Sequence, residues 1–443
     1  MKMKNIYLLL GLLLFITACN NDLDQVPPNI ASADSLTDFD GVLNAAYFYQ
    51  LGTVTPVAIM GDFRADNAFM FEEPFPAFDR FTSDFTDMED QFFGPFYTAA
   101  YRCILSANNV IENSTNATHI GEAQFLRALT YFKLVRIFGD VPVNLAANPS
   151  ITDTAILARQ PVADIYDNVI IPDLTAAIAA LDIEISEGRA SRLAAQGLLG
   201  KVYVNRGDFV NAEPHLAAVV NGAAAAGISL QDNFEDIFGD GTDLNSEILY
   251  ATQITSSVAD EYGFTEFAGW YSGGDTKSLN PLDSDLIDAF DAVAGEVLAG
   301  GTDLRRAVTI NEALGNSTKW GGAEQDWIEL RLADIILLYA ETLNENGSTP
   351  DTVLALIDPI RTRAGLNVLD PVTISTQALV RQAIQDERRL ELAFEGQRWF
   401  DLARTGTAEA ELGTTINSNF LVAPIPISEI LATNGVITQN PGY

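Results

Sequence analysis

Histidine, cysteine and positive charge are all scarce in this chain, and each scarcity removes a class of function. The two histidines, His119 and His215, lie far apart in sequence. They give a histidine-based zinc site or a Ser-His-Asp triad little to work with. Two cysteines are present, Cys19 and Cys103. If Cys19 is used at the N-terminus, no disulfide can form within the chain and the fold depends on its core. Lys and Arg together number 25 against 60 Asp and Glu, a formal charge of −35. A chain this acidic has no general basic surface for nucleic acid or an anionic bilayer. It also disfavours polyanionic ligands unless a local basic pocket exists, although solubility alone also accounts for the charge. No phosphate-binding glycine loop is visible. Asp240-Gly-Thr-Asp-Leu-Asn-Ser-Glu247 is acid-rich, yet it lacks EF-hand spacing, with no Gly at the sixth position. No cofactor or metal is expected.

Long apolar runs are also missing. Ile6 to Ile16 spans about ten residues, too few to cross a bilayer as a helix. Lys2 and Lys4 precede it, and Ile16-Thr17-Ala18-Cys19 follows. This is the pattern of a bacterial lipoprotein leader, with residues 1–18 removed and Cys19 lipidated. Ile16 stands where Leu is usual. Removing Lys2 and Lys4 leaves the mature chain near −37. Residues 19–34, with Pro27 and Pro28, suit a tether. No second linker-like break follows, so 35–443 is expected to be one domain.

With 48% hydrophobic residues, that domain can build a large core. Its periodicity is mostly helical. Phe125, Ala128, Leu129, Phe132 and Val135 share one helical face; so do Ala195, Leu198, Leu199, Val202 and Tyr203, and Leu332, Ile335, Ile336, Tyr339 and Leu343. Further helices are expected near 35–51, 88–112, 162–181, 209–221, 284–291, 351–364 and 375–394. A short strand is expected at Glu247–Thr252. Helices closing at Gly139, Gly207 and Gly347 fit left-handed C-terminal caps. Helix, glycine turn, helix, with small residues at crossings, is the pattern of tetratricopeptide-type repeats. Gly197 and Gly200, inside a helix, call for close approach of a neighbour. The fold class expected is mainly α: tetratricopeptide-like helix pairs in a superhelical scaffold carrying long irregular ligand-binding loops. The loops are expected at about 52–87 and 255–325.

Five segments in order resemble the SusD/RagB family: the lipoprotein start at Cys19; Phe125-Leu-Arg-Ala-Leu-Thr-Tyr-Phe-Lys-Leu-Val-Arg-Ile-Phe-Gly-Asp-Val-Pro; Leu330-Arg-Leu-Ala-Asp-Ile-Ile-Leu-Leu-Tyr-Ala-Glu; Glu387 through Arg404; and Pro424-Ile-Pro with Gln439-Asn-Pro-Gly-Tyr at the end. The resemblance implies four tetratricopeptide-like helix pairs with irregular loops carrying the ligand site. It implies a lipid-anchored protein on the outer face of the outer membrane that captures oligosaccharide. It also implies a SusC-like TonB-dependent β-barrel transporter as partner, and a binding protein rather than an enzyme.

Within Glu387–Arg404, charges recur every three or four residues: Arg388, Glu391, Glu395, Arg398, Asp401 and Arg404. Such spacing pairs them on a helix, with Trp399 and Phe400 packed inward. Glu391 and Glu395 could instead form an acid–base pair, but carboxylates flanked by Arg stay ionised, which favours a structural lattice.

A sugar site needs exposed flat aromatics edged by polar groups. Asp62, Arg64, Asp66 and Asn67, followed by Phe69, Phe71, Phe75 and Phe78, form one candidate. The resemblance lends Arg64, Asp66 and Asn67 a ligand role; a loop pinned by its own Asp–Arg pairs is the other reading. Trp270 and Tyr271, beside Tyr262, Phe264, Phe267 and Asp275, form a second candidate, and Trp320 a third. Each could equally be packed, as Trp327 is expected to be. A helical surface glycoside hydrolase or lyase, and a protein-binding helical scaffold, are the alternative functions. Acidity leans the ligand towards a neutral glycan.

Overall fold

The computed structural model describes residues 39–150, 153–184, 188–239, 241–255, 266–273, 281–298, 301–322 and 324–443. These belong to the unit Phe39–Tyr443. The leader, Cys19 and the tether lie outside the described residues, as do Asp240, Tyr262, Phe264 and Asp275.

The scaffold is a succession of antiparallel helices: α1 (Asp40–Gln50), α3 (Gly94–Asn113), α4 (Ala117–Phe138), α5 (Ile171–Ala180), α6 (Arg192–Asn205), α7 (Phe209–Gly222), α11 (Leu332–Glu345) and α12 (Pro350–Arg363). Each packs on the next in that order, and α13 (Gln377–Glu391) lies on α11. Local chemistry sets the ends. Asn116 caps α4 by accepting from the Thr118 amide at 3.0 Å, and Ser191 caps α6 through the Ala194 amide at 3.1 Å. At the end of α6 the Asp208 amide reaches back to the Tyr203 carbonyl at 2.9 Å. Gly207 takes a φ of 71°, and Gly347 closes α11 with a φ of 85°. Gly139 also has positive φ, but its ψ of −128° puts it outside the left-handed helical region.

The mid-helix glycines are contact points. A Cβ on Gly200 would lie 2.4 Å from the Leu216 side chain on α7, and one on Gly197 would lie 3.2 Å from Ile335 on α11. Both helices cross α6 at these points.

Strands are few among the described residues. β1 (Val141–Pro142) pairs antiparallel with β2 (Arg159–Gln160), and β3 (Ile248–Thr252) pairs antiparallel with β4 (Trp327–Arg331). In the second ladder Ile248 faces Arg331 and Thr252 faces Trp327. It ties the insertion between α7 and α11 to the scaffold. This insertion also carries α8 (Glu266–Ser272), α9 (Ser284–Ala292) and α10 (Leu304–Thr309).

The stretch expected as a loop over 52–87 is corrected. α2 (Val54–Asp62) occupies it, and every residue of that helix is buried. A helix enclosed on all sides has no polar face and so no amphipathic period to read. The aromatics after it form a second core. Phe78 meets Phe85 at 5.2 Å and Phe92 at 5.2 Å between ring centroids, and Phe85 meets Phe93 at 4.9 Å.

Gly200→Ala is expected to lower the melting temperature. The helix-propensity gain of about 1 kcal/mol is outweighed by an overpacking cost of about 1–3 kcal/mol against fully buried Leu216. Thermal unfolding of the pair checks this, and an unchanged or higher melting temperature would contradict the close crossing.

Candidate functional site

The Glu387–Arg404 segment is not one helix. α13 ends at Glu391, and the chain turns through Phe394 and Gly396, with φ of 62° and 67°, before α14 (Arg398–Thr405). The charges mostly find partners far away in sequence. Glu391 accepts from Arg331 Nη1 at 2.7 Å, from Arg363, and from Arg305 Nη1 at 3.3 Å. Glu395 meets Arg331 Nε at 2.7 Å and Lys319 Nζ at 2.9 Å. Glu247 bridges Arg331 and Arg363, and Glu387 bridges Arg305 and Arg361. In a neighbouring group, Asp334 lies 2.8 Å from both Lys201 and Arg388, and Asp401 joins Arg388 to Arg404.

Burial pushes the Glu391 carboxyl up, but Arg363, Arg331 and Arg305 outweigh that effect and hold it below the usual carboxylate range. Glu391 and Glu395 are both buried. Sealed from solvent and bonded to fixed cations, they have no access to a substrate and cannot act as a general acid–base pair. Trp399 and Phe400 are buried beside them.

Most residues expected to touch ligand are used in the same construction. Asp62 is fully buried and accepts from Asn67 Nδ2 at 2.9 Å, the Tyr271 hydroxyl at 2.9 Å, the Gly396 amide at 2.7 Å and the Phe394 amide at 3.3 Å. It therefore holds the turn between α13 and α14. Gly61 makes that contact possible, because a Cβ there would lie 2.2 Å from the Gly396 backbone. Asp66 receives both forks of Arg398 at 2.7 Å. Arg64 donates to the Phe78 carbonyl at 2.6 Å and to that of Phe420. Its guanidinium lies 4.3 Å from the Phe85 ring centroid and 5.0 Å from that of Trp399. Burial pulls its pKa down to about 10.

The tryptophans are corrected likewise. Trp270 is fully buried, 5.2 Å from Phe75 and 5.6 Å from Phe92. Tyr271 is buried and stacks on Phe63 at 5.6 Å. Trp320 is buried and stacks on Trp327 at 5.3 Å, and its indole Nε1 donates to the Phe394 carbonyl at 2.6 Å. A ring enclosed on both faces cannot stack on a sugar. Asp62, Arg64, Asp66, Asn67, Trp270, Tyr271 and Trp320 are therefore core residues. Glycine-rich surroundings suggested exposed loops, but glycine beside a ring does not decide whether the rest of the fold covers it.

Phe69 is the exception. It is half-buried, and its ring meets Phe71 edge-on at 4.4 Å. Phe71 is 61% exposed while Met70 between them is 4% exposed. The base is fixed by the Phe69 amide on the Pro281 carbonyl at 2.9 Å and by the Ala68–Leu282 bridge. Exposed Glu72 and Glu73 follow it in the chain, and exposed Arg80 is paired to Glu73 and Asp84. The Phe-Met-Phe alternation is a period-2 signal that puts the two rings on one side. It is legible in the sequence, where Phe69 and Phe71 both belong to the first candidate cluster. By contrast, a narrow crevice of about 20 Å³ along α13 and α14 has no aromatic residue in its lining. Among the described residues, no three of His, Cys, Asp or Glu come together as a metal-ligand set.

Comparison with known proteins agrees with this architecture. A profile described as "SusD family" matches residues 291–419, and one described as "Starch-binding associating with outer membrane" matches residues 21–204. The chain is 26% identical to SusD-like protein P2 of Formosa agariphila, over 98% of each chain. It is 24% identical to a SusD-like protein of Bacteroides ovatus, over 91% of this chain and 82% of that one. Among solved structures it resembles a laminarin-binding SusD-like protein, with a TM-score of 0.73, 24% identity and coverage of 92% and 99%. It also resembles surface glycan-binding protein A from Bacteroides fluxus, with a TM-score of 0.74, 21% identity and coverage of 91% and 99%.

Trp270→Ala and Trp320→Ala are expected to cost about 3–5 kcal/mol of stability each. Denaturant unfolding reads this, and a variant of native stability would contradict the packing. The buried carboxylates also set a pH dependence. Burial raises Asp62 from 3.8 to about 6 and Asp326 from 3.8 to about 7. These two favour the folded state most below pH 3.8 and lose that contribution as pH rises through 6 and 7. Glu391, Asp334 and Asp401 are depressed from 4.5, 3.8 and 3.8. Their contribution is present above those values and is lost as pH falls through and below them. From these groups the melting temperature should therefore peak at about pH 4–5, decline as pH rises towards about 7, and fall steeply below about pH 4. A melting temperature that climbs steadily from pH 5 to 8 would contradict the assignment.

Proposed function

Because the chain belongs to the SusD/RagB family, we propose that it is a surface glycan-binding lipoprotein, anchored to the outer membrane through Cys19, that passes oligosaccharide to a SusC-like TonB-dependent transporter. It is a binding protein and not an enzyme. The family relationship supports glycan binding, and the description "associating with outer membrane" of one matching profile supports the location. Among the described residues, no helix is long and apolar enough to cross a membrane. An N-terminal lipid would supply the attachment.

The observation that carries the reading at residue level is the Phe69–Phe71 pair. Nearly every other aromatic of residues 63–93 is buried, yet Phe71 is held out to solvent on an anchored base. An exposed, fixed ring gives a pyranose a flat apolar face, and the exposed carboxylates that follow it in the chain can bond hydroxyls. One similar structure is a laminarin-binding protein and one matching profile is described as starch-binding; for this chain the ligand class proposed is a neutral glycan.

Calorimetry of the soluble protein beginning at Asn20, against neutral and anionic polysaccharides including laminarin and starch, tests this. The expected outcome is binding to a neutral glycan, weakened about tenfold, or about 1.4 kcal/mol, by Phe71→Ala with thermal stability unchanged. Binding that ignores Phe71 would remove the platform. No binding by any panel member would favour a scaffold that recognises only protein.

A further inference from the structure

A second concave surface lies elsewhere in the fold. Between the C-terminal half of α1 and the residues following β3 is an open cleft of about 350 Å³. It lies within the size range of small-ligand sites. Tyr47 and Phe48 from α1 line it, together with Asn44, Arg189, Gln253 and Thr255. None of these belongs to the Phe69–Phe71 rim.

The cleft's chemistry is specific. Tyr47 and Phe48 are half-buried, so ring surface borders the opening while their bases are fixed in the scaffold. The Tyr47 hydroxyl donates to Glu122 at 2.6 Å and accepts from the Ala190 amide at 3.0 Å. The Arg189 guanidinium lies 5.3 Å from the Tyr47 ring centroid. It meets Glu122 and Asp40, each at 3.1 Å, and donates to Asn44 Oδ1 at 2.6 Å. Two carboxylates thus outweigh its charge and, with Asn44, occupy most of its donors, leaving no net positive field for an anion. Gln253 is exposed, and its side chain lies against Gly188, where a Cβ would come within 2.5 Å of it. Gly188, at a φ of 73°, leaves the space that amide occupies. Rings beside an exposed amide and other polar groups, with no surplus positive charge, match the apolar faces and hydroxyl edges of an uncharged sugar.

We infer that this cleft is a second sugar-binding subsite, taking one or two pyranose units of a neutral glycan independently of the Phe69–Phe71 rim; the inference rests on the glycan-binding reading above. A second point of attachment on one chain would raise the avidity for a long glycan without any new contact at the first.

Saturation-transfer NMR with maltose and laminaribiose tests the cleft directly, using the protein from Asn20 and its Phe71→Ala variant, in which the rim is disabled. Transfer to a disaccharide is expected in both. It should be lost, or weakened about tenfold, in Gln253→Ala and in Phe48→Leu, the latter keeping an apolar side chain on α1 while removing the flat ring. Melting temperatures equal to the parent exclude a folding defect. Absence of transfer from the parent, or transfer unchanged in both cleft variants, overturns the inference. The glycan-binding reading stands or falls separately, on the polysaccharide titration: polysaccharide binding lost in Phe71→Ala but untouched by Gln253→Ala and Phe48→Leu would leave that reading intact and remove this one.

Discussion

The guanidinium of Arg331 is the contact on which most of the remaining structure depends. It stands at the end of β4, faces Ile248 across the ladder, and bonds Glu247, Glu391, Glu395 and the Glu391 carbonyl. A single side chain thus joins the insertion, the C-terminal end of α13 and the turn after it. Removing water from ions is costly, and a buried pair repays that cost only with good geometry and complete hydrogen bonding. Here the requirement is met collectively. Each carboxylate serves more than one cation, and Arg331 uses its Nε and both terminal nitrogens. Such a lattice contributes register more than net stability, because any slip leaves a charge without its partner.

The same need for completeness explains the turn between α13 and α14. Its positive-φ residues leave amides that no helix satisfies, and Asp62 from α2 accepts two of them. The carbonyls of Ala393 and Phe394 in turn accept from Lys319 and Trp320. An early helix and a late insertion therefore meet at one turn. The backbone just beyond α2, from Arg64 to Ala68, is held on both sides. That is why Phe69 and Phe71 can project from a fixed base rather than from a free loop.

Local signals were legible in the sequence. Helices α3 to α7, α9 and α11 to α13 lie close to their expected places, because their caps, glycine stops and apolar faces are properties of neighbouring residues. The close crossings at Gly197 and Gly200 were legible for the same reason. Three features were not. α2 has no periodic face because it is buried all round. The charges of Glu387–Arg404 have helical spacing, yet their partners are up to some 330 residues away, as in Asp66 with Arg398, so a spacing rule could not see the break at Phe394 and Gly396. Trp270 and Trp320 sit beside glycines, yet their rings pack against other aromatics. Whether a ring is covered depends on what folds over it, and composition carries no such information.

The lattice also changes what the net charge means. Among the described residues, 11 of the chain's 25 Lys and Arg are buried, against 12 of its 60 Asp and Glu. The interior is thus close to neutral, and nearly all of the −35 lies outside it. The exterior is more acidic than the overall composition suggests, since the core has withdrawn close to half of the cations and only a fifth of the anions. Arg80 and Arg189, at the two surfaces argued to meet ligand, are each already bound by two carboxylates. A polyanion approaching either surface would meet repulsion at long range and find no unbalanced cation at contact. Aromatic faces and neutral hydrogen-bonding groups are what these surfaces retain for recognition, and this is the physical ground for a neutral glycan as ligand.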